Sequence, residues 1–244
     1  MQIDALVLRM RPRSPFEAAD LGARLCQTAA AQVYACYAVA AVPTIAIALA
    51  SYELAAWLPM LLLWWSKPWL DRTVLFVLAR AAFGQPTTLR DLRLARRDVW
   101  WRQLLLTWTW RRLSPWRSFT QPVYQLEGLR FWRLAPRVRQ IRRNRSGGAL
   151  LMTATFALAQ LALAASIASL TFWFALPERA PSFVLLMTGE ESALAELTIP
   201  ASYAAAMLFL EPFYVAAGFG MYMNRRAELE AWDVEQELRR AFRG

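Results

Sequence analysis

The chain has 244 residues, of which 57% are hydrophobic and 19% are charged, and its mean hydropathy is +0.25. A soluble domain has about 45–50% apolar and about 25% charged residues, so this composition argues against a water-soluble globular protein. There is no histidine and there are only two cysteines, which excludes histidine-based acid–base catalysis and most metal sites. We therefore expect a membrane protein that holds no cofactor and no metal.

The net charge of +10 is concentrated in one part of the chain. Sixteen arginines and only three acidic residues lie between Arg80 and Arg145. Such a basic block is typical of proteins that bind nucleic acid, acidic lipids or an acidic protein. In a chain with long apolar segments it is also typical of a cytoplasmic loop, because positively charged loops stay inside. We favour the cytoplasmic loop, with anionic headgroups as its lipid partner, over nucleic-acid binding.

Residues 1–27 are predicted to form a cytoplasmic, amphipathic N-terminal segment. Ser14, Pro15 and Glu17 have the order of an N-cap, a first-turn proline and an early acid, which predicts the start of a helix. Residues 25–52 are then uncharged, which is longer than the roughly 20 residues needed to cross a bilayer. This stretch is the first predicted span.

The second predicted span completes a transmembrane hairpin over residues 28–70. Residues 54–66 provide only 13 uncharged positions, and the span is long enough only if Lys67 extends toward the headgroups. An aromatic belt is expected near its exit, formed by Trp64, Trp65 and Trp69. Lys67 and Asp71 lie one helical turn apart, a spacing at which they are able to pair.

Residues 71–146 are predicted to form a basic, helical, cytoplasmic insert that is rich in Arg and Trp. Thr87 or Thr88 is a suitable N-cap for its first helix, with Asp91 in the first turn. Residues 113–128 are predicted to be rich in turns. A second basic helix is expected over residues 129–145, with an apolar stripe formed by Leu134, Val138 and Ile141.

The insert contains a candidate cytoplasmic interface made of aromatic and basic residues. The apolar residues in its first half recur with helical spacing, which predicts that they share one face: Trp100, Trp101, Leu104, Leu105 and Trp108. The interface candidates are Arg96, Arg97, Trp100, Trp101, Arg102, Trp108, Arg111 and Arg112. Trp and Arg on an amphipathic helix are typical of a helix that lies in the headgroup layer. A nucleic-acid groove would use the same residue types, although nearby membrane spans make that function less favoured.

Two further spans form the second predicted transmembrane hairpin, residues 147–224. Residues 146–177 carry no charge, and residues 197–224 carry one, Glu211. A short acidic outer loop at residues 178–197 joins them. The predicted fold is therefore all-α, with four transmembrane helices in two hairpins and a helical basic insert between them.

The distribution of charge predicts the orientation of the chain. The N-terminal segment and the insert are basic, whereas the outer loop is acidic, so both termini and the insert are expected in the cytoplasm. Residues 225–244 are predicted to be a cytoplasmic C-terminal helix that continues the fourth span. Its acidic residues are expected to face the arginines of the insert.

Glu211 is the candidate site within the membrane. A carboxylate near the middle of a bilayer is costly, and such residues are usually paired, protonated or functional. Pro212 can kink the helix there and free a backbone carbonyl, and Gln160 in the third span is a candidate hydrogen-bond partner. Other possible partners are Tyr34, Tyr37, Tyr203 and Tyr214. A proton or cation relay and a protonated glutamate that joins two helices are both open interpretations.

Three segments carry a resemblance to a known group of proteins: residues 8–22, residues 113–128 and residues 211–235. Together they resemble the membrane portion of uncharacterised proteobacterial inner-membrane proteins, which are often encoded beside transglutaminase-like proteins and MoxR-type ATPases. The last segment is more loosely similar to membrane domains attached to some glycerophosphodiester phosphodiesterases. The resemblance implies a bacterial inner membrane and transfers no activity.

Three functions are considered for this chain. We expect a non-enzymatic scaffold or accessory subunit of an envelope-associated membrane complex, with a protein partner in the membrane or at its cytoplasmic face. The alternative is a small transporter or channel subunit that uses Glu211. An enzyme has the least support, because no catalytic motif is present. A homo-oligomer is left open.

Overall fold

The computed structural model of the protein describes residues 13–102, 104–109, 112–129, 131–174 and 193–230. All regular structure in these residues is helical, which confirms the all-α prediction. The described part contains nine α-helices, which are α1 (Pro15–Thr28), α2 (Ala30–Ala50), α3 (Leu58–Ala81), α4 (Leu89–Arg96), α5 (Leu104–Trp108), α6 (Arg117–Leu126), α7 (Phe131–Arg142), α8 (Ser146–Phe174) and α9 (Ala193–Glu230). A 3₁₀ turn, Ser51–Glu53, follows α2, and a π-helical turn, Arg97–Trp101, follows α4.

Three of the described helical segments are long and apolar enough to cross a membrane: Ala30–Glu53, Ser146–Leu170 and Glu196–Glu230. They indicate a membrane protein. Helix α3, which contains the predicted second span, is not one of the three and carries Lys67, Asp71 and Arg72 in its middle. The arrangement of four spans in two hairpins therefore stays a prediction.

Helix α1 begins where the sequence predicts it. The backbone N–H of Glu17 donates to Ser14 Oγ at 3.3 Å, and the N–H of Ser14 donates to Glu17 Oε2 at 3.2 Å. This reciprocal pair satisfies two backbone donors that a helix N-terminus otherwise leaves without partners. The chain turns at Ala29, so that α1 and α2 are separate helices.

Helix α9 is the centre of the fold, and it packs against α1, α2, α3, α6 and α8. Helix α1 crosses it at backbone contact. A Cβ atom on Gly22 would overlap the carbonyl group of Ala216, and a Cβ atom on Gly220 would overlap the carbonyl oxygen of Ala18. Small residues allow helices to approach this closely, so the two glycines determine where α1 lies on α9.

The prediction that residues 113–128 are rich in turns is wrong for α6. This helix runs through Pro122 and buries every residue from Arg117 to Val123. It also lies close to α9, since a Cβ atom on Gly218 would overlap Ser118. Burial between α3 and α9 outweighs the weak helix preference of the local sequence, because tertiary packing provides most of the stability of a short helix.

The predicted single face of Trp and Leu residues in the insert is also wrong. Thr88 caps α4 as predicted, with its Oγ1 accepting from the N–H of Asp91 at 3.3 Å. The helix then loosens into the π-helical turn, and at Arg102 the backbone becomes extended. Trp100 turns inward and donates its indole N–H to Thr73 Oγ1 at 2.9 Å, whereas Trp101 is 67% exposed. A break in the helix separates residues that a continuous helix would align.

Helix α7 joins the insert to the end of α9. Its predicted apolar stripe faces inward, with Leu134 and Ile141 buried. Arg137 pairs with Glu127 at 2.8 Å and with Glu230 at 2.6 Å. The predicted contact between C-terminal acids and insert arginines is confirmed at residue 230, and the tail from residue 231 onward lies outside the described residues.

Candidate functional site

Glu211 is buried in α9, where only 2% of its side chain is exposed. Each of its two carboxylate oxygens has a cation beside it. Lys67 Nζ of α3 lies 2.7 Å from Oε2, and Arg117 Nη2 of α6 lies 2.7 Å from Oε1. The carboxylate therefore joins three helices.

Arg117 extends this arrangement to a second carboxylate. Its Nε lies 2.8 Å from Asp71 Oδ2, and the Asp71 side chain is completely buried. Lys67, Asp71, Arg117 and Glu211 thus form a network of two cations and two anions, which we call the four-charge network. Burying a charged group is costly unless it is paired, and each of these four side chains lies beside one of opposite charge type.

Lys67 does not extend toward the headgroups as the second span would require, and its ion pair is with Glu211 and not with Asp71. Its side chain is only 10% exposed and points toward α9, where Glu211 attracts it. The ammonium group also donates to Gln160 Oε1 at 2.5 Å. Gln160 is therefore linked to Glu211 through the lysine and not by the direct hydrogen bond that was predicted.

Pro212 is buried beside Glu211, and α9 continues through it. The hydroxyl of Tyr34 donates at 2.8 Å to the carbonyl oxygen of Phe209, in the turn before this proline. The rings of Tyr203 and Tyr214 face the cations, with centroids 5.6 Å from Lys67 Nζ and 5.3 Å from Arg117 Cζ. These tyrosines surround the four-charge network, and Tyr37 is buried in the same core.

A cavity of about 780 Å³ lies beside the four-charge network. Its walls come from α3, α8, α9 and the segment that leads into α6. Lys67, Arg117, Glu211 and Gln160 line its polar side, and the rest of the lining is mainly apolar. Its volume is within the range of small-molecule sites, which is about 300–1,000 Å³.

Arg112 also lines this cavity, although the sequence placed it in the cytoplasmic interface. The residue is only 7% exposed, and its Cζ lies 3.5 Å from the ring centroid of Trp64. Burial lowers the pKa of Arg112 to about 10, so the guanidinium remains charged at neutral pH. The structure brings this cation toward α3 because Trp64 offers it an aromatic face.

The remaining interface candidates differ in how far their side chains are exposed. Trp100 is half-buried, and Arg111 lies outside the described residues. The other five are exposed, namely Arg96, Arg97, Trp101, Arg102 and Trp108. We call these five exposed basic and aromatic residues of the insert the Arg/Trp surface.

The contacts of the network link helices to one another. Both oxygens of Glu211 have a cation beside them, so its carboxylate connects α3, α6 and α9. Among the described residues, no group of three or more potential metal ligands is present. The arrangement offers strong, specific links between helices, because charge-assisted hydrogen bonds are stronger than neutral ones.

Sequence reasoning named Asp71 only as a neighbour of Lys67 and did not connect either residue to Glu211, and it missed Arg117. An acid one turn after a lysine in an apolar helix is a usable signal, since it needs a partner. Arg117 had none, because it is one of sixteen arginines between Arg80 and Arg145. The chain matches no protein-family model, no curated protein and no solved structure.

Proposed function

We propose that this chain is a non-enzymatic, integral inner-membrane protein of a bacterium that acts as a scaffold or accessory subunit of an envelope-associated complex. The proposal rests on the ion pairs that attach the insert to α3 and α9. Arg117 begins α6 and pairs with carboxylates on both α3 and α9. The insert is therefore joined firmly to α3 and to α9, and α9 includes a segment that is able to cross a membrane.

This attachment gives the Arg/Trp surface a defined position. Trp101 is 67% exposed and Trp108 is 43% exposed, with Arg97 and Arg102 beside them in sequence. Aromatic and arginine side chains contribute most of the binding energy at many protein interfaces. The same residues suit contact with anionic headgroups, so the surface would meet both the lipid and a protein partner.

The proposed orientation has the insert and both termini in the cytoplasm. It rests on the sixteen arginines between Arg80 and Arg145, because basic loops remain on the cytoplasmic side. Trp and Arg together at the membrane surface agree with a position in the headgroup layer.

The alternative is a small transporter or channel subunit that uses Glu211. Its support is that Glu211 lines the large cavity beside the four-charge network. An ion pathway would require the carboxylate to exchange partners during transport. Both of its oxygens are held by cations here, so we place this function second.

The scaffold function is tested by purifying the protein in mild detergent and quantifying its partners by mass spectrometry. The variant Arg97→Gln/Trp101→Ser/Arg102→Gln should lose at least one reproducible protein partner. A matched control is Trp132→Ser/Arg133→Gln on α7, because Trp132 is also highly exposed, at 91%. This control should keep the partner.

Two outcomes would contradict the scaffold function. One is a purified protein with no reproducible partner, and the other is equal recovery of partners with both variants. A Glu211→Gln variant that keeps its partners but loses an ion-dependent phenotype would favour the transporter instead.

A further inference from the structure

The cavity of about 780 Å³ has an apolar side that reaches the exterior of the helices. Three of its lining residues are well exposed to the surroundings: Trp57 by 65%, Leu61 by 39% and Leu161 by 56%. Leu161 belongs to α8, which includes a segment able to cross a membrane. In a bilayer this rim would face hydrocarbon, since exposed apolar side chains on such a helix meet lipid.

The polar side of the cavity carries an excess of positive charge. Lys67 and Arg117 are balanced by Glu211 and Asp71 within the four-charge network. Arg112 has no such balance, because none of the described ion pairs includes it. The cavity therefore contains one buried cation more than the network can neutralise.

Two side chains that line the cavity also have buried hydrogen-bond donors without an acceptor among the described residues. Arg112 is 7% exposed and Gln160 is 5% exposed. Arg112 Nε and Nη2 and Gln160 Nε2 are buried without a hydrogen-bond acceptor in the described part of the chain. A buried donor without an acceptor destabilises the protein, and a charged donor does so more strongly. Both residues line the same cavity, so an acceptor that enters it can satisfy them.

We propose that this cavity binds a membrane lipid with an anionic phosphate headgroup. The phosphate oxygens accept hydrogen bonds from the Arg112 guanidinium, and a further headgroup oxygen accepts from the Gln160 amide. An arginine fork matches the geometry of phosphate oxygens and neutralises their charge. The acyl chain lies along the apolar wall and leaves through the rim at Leu61 and Leu161.

The apolar wall is the reason to choose a lipid over free phosphate. Inorganic phosphate would satisfy Arg112, but it would leave Met60, Phe156 and Ala157 facing an empty apolar space. An acyl chain covers these residues and packs against them. The cationic and the apolar parts of one cavity thus fit the two ends of one amphiphile.

The test is a lipid titration of the purified full chain in dodecyl maltoside, followed by native mass spectrometry. Phosphatidylglycerol should bind tightly with one molecule per chain, about tenfold more tightly than phosphatidylcholine. Arg112→Gln should lower the affinity for phosphatidylglycerol about tenfold, because it removes a charge-assisted contact. Arg133→Gln, which changes an exposed arginine of α7 that does not line the cavity, should bind like the unmodified protein.

A second pair of variants tests the apolar side of the cavity and leaves Arg112 unchanged. Ala157→Trp places a bulky ring in the cavity and should lower the affinity for phosphatidylglycerol. Ala154→Trp changes an exposed alanine of the same helix that does not line the cavity, and it should bind normally. If Arg112→Gln does not fold, Arg112→Lys replaces it and should retain the preference for the anionic lipid.

Three results would overturn the proposal. The first is equal binding of phosphatidylglycerol and phosphatidylcholine to the unmodified protein. The second is unchanged phosphatidylglycerol binding in both the Arg112 and the Ala157 variants. The third is displacement of the lipid by inorganic phosphate at equal concentration, which would mean that the site recognises phosphate alone.

Discussion

Lys67 Nζ lies 2.7 Å from Glu211 Oε2, so the single lysine of the chain is paired with the single acid of residues 197–224. The contact joins α3 to α9 across the core. Both side chains are almost completely buried, so removing one leaves the other charge buried with one partner fewer. Their pairing determines how α3 faces α9, and it makes each residue depend on the other.

We expect Lys67→Met to lower the free energy of unfolding by roughly 3–5 kcal/mol, because it leaves a buried carboxylate with one cation fewer. Glu211→Gln should also destabilise the protein, since it leaves Lys67 without its acid. The double variant Lys67→Met/Glu211→Gln should cost less than the sum of the single variants. Reversible unfolding in mixed detergent micelles measures all three.

Asp20→Asn provides the control for this cycle. Asp20 pairs with Arg24 at 3.0 Å, but both side chains are more than 60% exposed. An exposed pair of this kind contributes about 0–1 kcal/mol. Strictly additive effects of the Lys67 and Glu211 variants would show that the two residues do not interact.

Arg117→Gln should release α6 from the rest of the fold. The change leaves two buried carboxylates, Asp71 and Glu211, with only Lys67 to balance them. Amide hydrogen exchange of residues 117–126 should therefore become faster. Adding Asp71→Asn to Arg117→Gln should slow the exchange again, because Lys67 then has only the carboxylate of Glu211 to balance.

The matched control for Arg117 is Arg139→Gln, which changes an exposed arginine of α7. Exchange in α6 should stay unchanged in that variant. If exchange in the Arg117→Gln variant is also unchanged, the four-charge network does not hold the insert.

Gly22→Ala and Gly220→Ala should each destabilise the protein by about 1–3 kcal/mol or more, because the new methyl group meets backbone atoms that cannot move aside. Gly147→Ala is the control, since a Cβ atom there has open space around it. That change should be neutral or slightly stabilising, because alanine is the better helix former. The midpoint of thermal unfolding reports all three, and similar midpoints would rule out the close crossing of α1 and α9.

The cap of α4 should give its stability a defined dependence on pH. Hydrogen bonds from the backbone and side chain of Thr88 lower the pKa of Asp91 below its usual value of 3.8. A lowered folded-state pKa means that the stabilisation is complete above the unfolded value and is lost as the pH falls through the folded value. Asp91→Asn should therefore weaken protection of α4 at pH 6 and make little difference at strongly acidic pH.

Amide exchange in α4, corrected for the intrinsic rate at each pH, checks this prediction. Asp98→Asn is the control, because Asp98 is an exposed acid in the following turn. A loss of protection that is the same at every pH would mean that the Asp91 carboxylate does not stabilise the helix.

Reporter fusions test the proposed orientation. A fluorescent reporter that folds only in the cytoplasm should be active when fused after Arg145, whereas a periplasmic phosphatase should be active when inserted within residues 178–197. These outcomes follow from the basic insert and the acidic loop. A phosphatase that is active after Arg145 would reverse the orientation.

Helix starts and helical class were predictable because their causes are local. Ser14 with Glu17 and Thr88 with Asp91 form capping boxes within four residues. The failure at residues 117–126 has the opposite origin, since that helix depends on burial against α3 and α9. The break at Arg102 likewise depends on the inward turn of Trp100 toward Thr73, and helical periodicity does not include such a contact.

The amino-acid sequence by itself determined an all-helical, membrane-type protein with a strongly basic middle and a polar position at Glu211. These properties follow from composition, hydropathy and short-range spacing, which act over about one helical turn. Only the tertiary structure decided that Glu211 meets Lys67 and Arg117, which lie 144 and 94 residues away. A buried carboxylate needs a cation within contact distance, and the sequence offers many arginines that could supply the positive charge. The packing of α6 against α9 places Arg117 there and no other arginine of the described residues.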